Sequence, residues 1–102
     1  MSEVRFPVID RQGERCLVRG PVTHAGAEAL LASGERHFGG GRLVFDFSGA
    51  ESADSSALSL MLEWIRRAAA RDTEIAFSGL GPALASLIEL YGLAELIPLA
   101  AE

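Results

Sequence analysis

Between Arg42 and Ala69 the hydrophobic pattern changes period. Arg42-Leu43-Val44-Phe45-Asp46-Phe47 is almost continuously apolar, as a strand covered on at least one face would be. From Ser56 to Arg71 the apolar residues return at helical spacing. Leu58, Met61, Leu62, Ile65 and Ala69 form one stripe, and Ser59, Glu63, Arg66 and Ala70 form the opposite side. Leu60, Trp64 and Arg67 make a row at the stripe's edge. A strand that feeds a helix over so short a span commits the chain to layered α/β packing.

The flanking segments extend that alternation. Val4 to Ile9 is a short apolar run broken by Pro7, which donates no ladder hydrogen bond, so it reads as an edge strand. Asp10 to Glu14 is a turn around Gly13, and Arg15 to Arg19 returns as the second strand of an antiparallel hairpin that Gly20-Pro21 ends. Thr23, or the residue after it, can cap a helix that runs to about His37, with Ala27, Leu30, Leu31 and Phe38 supplying its apolar positions. Gly39-Gly40-Gly41 connects it to the Arg42–Phe47 strand. Thr73 to Ser78 is a further strand. Pro82 opens a helix over Ala83 to Tyr91 with Leu84, Leu87, Ile88 and Tyr91 on one face, and Gly92 closes it. Leu93 to Pro98 is a short closing helix or turn. The expected fold is α/β: residues 1–102 as one domain, with a mixed four-stranded sheet. Helices lie mainly on one side, because three modest helices cannot cover both faces.

A chain of 102 residues holds one small core, and 49% apolar with 23% charged residues is the composition of a folded domain. The net charge of −5, with no lysine, argues against nucleic acid as a partner. The chain opens without a basic-then-apolar leader pattern and holds no apolar run long enough to cross a bilayer, so a cytoplasmic protein is expected, with no direct membrane insertion. Cys16 stands alone and reads as core filler. His24 and His37 have no metal-ligand spacing with Cys16. His37 suits the negative end of a helix dipole, and His24 reads as a neutral surface residue. The glycine triplet follows a helix rather than a strand and lacks the lysine-hydroxyl ending of a phosphate loop. Asp46 and Asp54 as a catalytic carboxylate pair would need a substrate pocket for which so short a chain has little room. Ser55 and Ser56 have no histidine at a nucleophile elbow. No enzyme, cofactor or metal site is expected.

Polar chemistry gathers where the Arg42–Phe47 strand passes into the next helix. Asp46, Ser48, Ser52, Asp54, Ser55 and Ser56 fall in that passage. Capping accounts for one of them, since Asp54 or either serine can accept amide hydrogens of the first helical turn. The remainder suggest a recognition edge whose hydroxyls are held by strand and helix. A phosphate placed there would meet free helix amides, opposed by Asp46 and Asp54.

In order and spacing the chain resembles the STAS family, the small domain shared by anti-sigma-factor antagonists and sulfate transporters. The resemblance is carried by Leu17 to Thr23, by Leu43-Val44-Phe45-Asp46-Phe47-Ser48, by Asp54-Ser55-Ser56-Ala57-Leu58 and by Leu90-Tyr91-Gly92-Leu93-Ala94-Glu95-Leu96-Ile97-Pro98. Asp54 to Ile65 and the Leu-Tyr-Gly-Leu segment resemble the branch that serves bacterial ABC phospholipid transporters as a cytoplasmic accessory subunit. That resemblance implies a non-catalytic protein held at the inner membrane through the complex. It would bind and support the ATPase subunit, and through it the permease, of a system that maintains outer-membrane lipid asymmetry. It makes Ser55 the functional hydroxyl, matching a threonine of that branch, with Asp54 holding the loop. Ser56, Ser59, Glu63 and Arg66 continue the surface. Trp64 is either core filler or an interface anchor, and Arg67 either pairs across the interface or is solvated. The alternative is an anti-sigma-factor antagonist, whose partner is an anti-sigma kinase and whose phosphorylated serine matches Ser56. Ala57 departs from the glycine found there in many antagonists.

Overall fold

The computed structural model describes residues 6–100. The elements run β1 (Val8–Gln12), β2 (Arg15–Val22), α1 (His24–Glu35), β3 (Gly41–Ala53), α2 (Ser56–Ala69), β4 (Thr73–Ser78) and α3 (Gly81–Leu90). The sheet is ordered β1-β2-β3-β4. β1 pairs antiparallel with β2, while β3 pairs in parallel with both β2 and β4. The mixed four-stranded α/β architecture expected from the sequence is therefore present.

The core lies on one face. Cys16 and Val18 of β2, Leu43, Phe45 and Phe47 of β3, and Ile75 and Phe77 of β4 alternate inward. They join Leu30 of α1, Leu60, Met61 and Trp64 of α2, and Leu84 and Ile88 of α3 in one cluster. Trp64 stacks on Phe45 with ring centroids 4.3 Å apart, and Phe47 meets its edge at 6.4 Å. Its indole N–H donates to the Leu31 carbonyl at 3.2 Å, fastening α2 to α1. Gly34 is required at that contact, because a Cβ there would lie 2.6 Å from the indole ring. On the opposite face Arg15 reaches across β3, its guanidinium 2.7 Å from Asp46 and 3.2 Å from the Ser78 hydroxyl.

Several boundaries differ from the sequence reading. β1 begins after Pro7 and runs through Asp10–Gln12, so the turn shrinks to Gly13-Glu14. Val4 and Arg5, part of the expected first strand, lie outside the described residues. β2 continues past Gly20-Pro21, where the register against β3 shifts. Pro21 lies past Arg19, the last residue of β2 that pairs with β1, where that side of the strand has no ladder to complete. The largest difference is β3, which stays extended to Ala53 instead of ending at Phe47. From Leu17/Asp46 to Arg19/Gly49, and again from Gly20/Ala50 to Pro21/Ser52, β3 advances one residue more than β2. These two bulges keep a stretch of turn-forming residues in the sheet. α1 ends at Glu35, and His37 falls in the following turn beside Arg11, 3.5 Å from its ring. Burial, with Arg11 and Arg36 nearby, lowers the His37 pKa, which opposes the expected cationic pairing with the helix end. α3 starts two residues before the expected position, and Tyr91, expected on its apolar face, is 57% exposed. Residues 93–98 turn back, and Leu99 forms a parallel bridge with Phe77 on the outer side of β4.

Candidate functional site

β2 and β3 are parallel, and Val22 pairs with Ala53 at their carboxyl ends. The helices that follow must therefore start side by side, and Asp54 stands between the two starts. Its Oδ1 accepts the Ser56 amide at 2.9 Å and also the Ser56 hydroxyl. Its Oδ2 accepts the amide of His24, the first residue of α1, at 3.4 Å. Its own amide donates to the Val22 carbonyl at 3.3 Å. One exposed carboxylate thus serves the amino ends of two helices. The Ser56 hydroxyl bond, aided by the Ser56 and His24 amides and outweighing desolvation, holds the Asp54 pKa below the usual carboxylate range. Thr23 occupies the cap position of α1 without a capping side-chain bond, so Asp54 performs that role from another element.

Ser55 is exposed and holds the cap position of α2, yet its hydroxyl makes no capping bond. The site therefore presents one hydroxyl that the fold does not use, next to another, on half-buried Ser56, that it does. Ser59 is exposed one turn along. Ser56 and Ser59 edge a shallow groove of about 450 Å³ between α2 and α1. Its floor is Ala27, Leu31 and Leu60, and His24, Glu28 and Glu63 complete its border.

Glu63 belongs to an ion-pair cluster. Arg66 pairs with it, and Arg67 Nε lies 2.8 Å from the same carboxylate. Arg67 also reaches Glu35 of α1 at 2.8 Å, and Arg71 approaches Glu35 at 3.6 Å. The Arg66 and Arg67 hydrogen bonds depress the Glu63 pKa from 4.5 to about 2. Arg67 was expected either to cross to a partner or to lie in solvent. Within the chain it ties α2 to α1, and its side chain stays 34% exposed. Arg66 stays exposed at the outer side of the cluster.

Trp64 is 0% exposed, which removes it from any interface and leaves the core-filler alternative. The stripe on α2 is rotated relative to the periodic reading. Ala57, Leu58, Leu60, Met61, Trp64 and Ala68 are buried, whereas Leu62 and Ile65 are half-buried and Ala69 is exposed. The helix touches both α1 and the sheet, so its buried arc includes the row taken for an edge.

The polar residues ahead of Asp54 do not converge with it. Asp46 pairs with Leu17 and Ala53 with Val22, five steps apart on β2, or about 17 Å at strand spacing. Asp46 instead belongs to the opposite sheet face with Arg15 and Ser78. Burial opposes its ionisation, but hydrogen bonds from the Ser48 amide and hydroxyl and from Arg15 prevail and lower its pKa. Ser48 and Ser52 are exposed along β3. Cys16 is fully buried, and burial raises its thiol pKa despite Arg11 nearby.

Sequence reasoning missed the contribution of α1, namely the His24 amide and the groove side of Ala27, Glu28 and Leu31. The available signal was topological. Two parallel strands with matching ends deliver their helices to one edge, and the carboxyl ends of parallel strands are the usual place for binding sites. Among the described residues no helix is long and apolar enough to cross a membrane.

No curated protein matches the chain at the sequence level. Solved structures share its fold. An anti-sigma-factor antagonist (STAS) domain protein from Planctomyces limnophilus has a TM-score of 0.72 at 13% identity, covering 96% of this chain and 92% of that one. The anti-sigma factor antagonist SpoIIAA in its unphosphorylated form gives 0.65 at 15% identity, covering 94% and 87%. The Bacillus cell fate determinant SpoIIAA in its phosphorylated form gives 0.62 at 19%, covering 94% and 92%. A family model described as "Mlab, STAS domain" matches residues 9–98. STAS domains are generally non-catalytic and bind partner proteins such as kinases or ATPases. With residues 9–98 matched by that family model, and with the fold of those solved domains, the chain belongs to the MlaB-type STAS domain family.

Proposed function

We propose that this chain, acting as one STAS domain over residues 1–102, is a non-catalytic accessory subunit of an ABC-type phospholipid transporter that maintains outer-membrane lipid asymmetry. It docks on the ATPase subunit (MlaF-like), supports its active assembly, and is held at the inner membrane through that complex. The observation that carries this reading is Ser55. It is an exposed hydroxyl at the start of α2, unused by the fold, on a turn that Asp54 fastens to both helix starts. A partner receives it in one orientation, with little ordering cost on binding. Ser56, Ser59 and the outer side of the Glu63–Arg66 pair extend the contact. Trp64 and Arg67 act behind the surface by fixing α2.

Affinity purification of the native protein tests the proposal. Wild type is expected to bring down an ABC ATPase and its permease, and Ser55→Asp to recover much less of both. Recovery of an anti-sigma kinase with no transporter subunit would sink it.

The second reading is an anti-sigma-factor antagonist switched by phosphorylation of Ser56, and the solved antagonists of like fold favour it. Against it stands the Ser56 hydroxyl, half-buried and bonded to Asp54, so that a phosphate there would break the bond and face the carboxylate. Mass measurement after incubation with a cognate kinase decides. An unmodified Ser56 removes the antagonist reading.

A further inference from the structure

We infer that the groove between α1 and α2 receives a basic amphipathic helix of the partner protein, with an apolar side chain seated on Leu31 and Leu60 and an arginine or lysine on Glu28. The inference rests on the partner-binding reading above and adds the chemistry of what binds.

The groove is large enough for two or three side chains, and its apolar floor lies between two helices, the geometry that receives a third. Its charge sets the sign of the occupant. Of its two rim carboxylates, Glu63 is engaged by Arg66 and Arg67, whereas Glu28 makes no ion pair among the described residues. Helix-dipole compensation does not account for Glu28, because it stands beyond the first turn of α1, which holds no acidic residue. Its outer neighbours Ala25, Ala29 and Ala32 are exposed and short, so no long side chain holds a partner's backbone away. Covering Glu28 with an apolar or acidic surface would bury an uncompensated charge, and only a cationic group offsets that cost. The net charge of −5 draws the same class of partner. Anionic lipid headgroups are repelled by the same groups.

Binding of the purified ATPase subunit of the cognate transporter is measured by calorimetry or interferometry across a salt series. The variants are Glu28→Lys, Glu28→Gln and, as a charge-matched control on the closing turn, Glu95→Lys. Glu28 is exposed and makes no ion pair among the described residues, and circular dichroism checks the folding of each variant. Glu28→Lys is expected to weaken binding about tenfold and Glu28→Gln about threefold at roughly 0.1 M salt, with both gaps shrinking near 1 M. Glu95→Lys is expected to match wild type. Binding of Glu28→Lys at wild-type strength overturns the inference, as does an equal loss in Glu95→Lys, which would reduce the effect to net charge. If Ser55→Asp abolishes binding while Glu28→Lys does not, the groove inference falls and the transporter reading stands. No binding by wild type removes both.

Discussion

Ser55 and Trp64 lie on one turn and helix but answer to different demands, and substitution separates them. Trp64→Ala removes a fully buried indole stacked on Phe45 and abolishes the bond to Leu31. It is expected to cost about 3–5 kcal/mol in urea unfolding. Ser55→Ala removes an exposed hydroxyl with no capping bond and is expected to change stability by less than about 0.5 kcal/mol. A large loss of stability in Ser55→Ala would show that the hydroxyl serves the fold after all. The sequence pointed to Asp54 as a cap, but not to its second task. That task depends on the His24 amide, whose nearness follows from strand pairing. Trp64 was ambiguous for a related reason. A tryptophan at the edge of a helical stripe is buried or exposed according to whether a neighbouring helix covers it, and α1 does.

At the scale of elements, β4 and the starts of α2 and β2 were legible because pattern and punctuation agree there. β3 was not. Ser48, Gly49 and Ser52 are turn formers, and only pairing with β2 through two bulges keeps them extended. This also explains why the polar cluster dispersed, since an extended strand carries Asp46 away from Asp54. The α1–α2 junction rests on charge as well as packing, and charge gives it a pH dependence. The Glu63 pKa is depressed from 4.5 to about 2, so its contribution is fully present above about pH 4.5 and is lost as pH falls toward about 2. Melting temperatures of wild type and Glu63→Gln are expected to differ near neutral pH and to converge over that window. A gap that stays constant as the pH is lowered would mean that Glu63 acts through packing rather than ionisation.

For the whole molecule, the mixed sheet, its helix-bearing face and the family were all readable from the order of short motifs over the full length. The local register was not. The outer side of β4 shows what this organisation costs. Of that strand, Phe77 has its outward amide and carbonyl bonded, to the Pro98 carbonyl at 2.9 Å and from the Ala100 amide at 2.8 Å. Deleting residues 98–102 leaves the Thr73–Ser78 strand as an uncovered edge with only Glu74 to discourage stacking. Such a truncation is expected to form soluble aggregates by light scattering at concentrations where the full chain scatters as a single small species. Equal scattering from both would show that the bridge does not guard the edge. Pro98 to Ala100 therefore act as a selvedge at Phe77: they close that point of the sheet's margin, where another copy of the chain would otherwise be woven in.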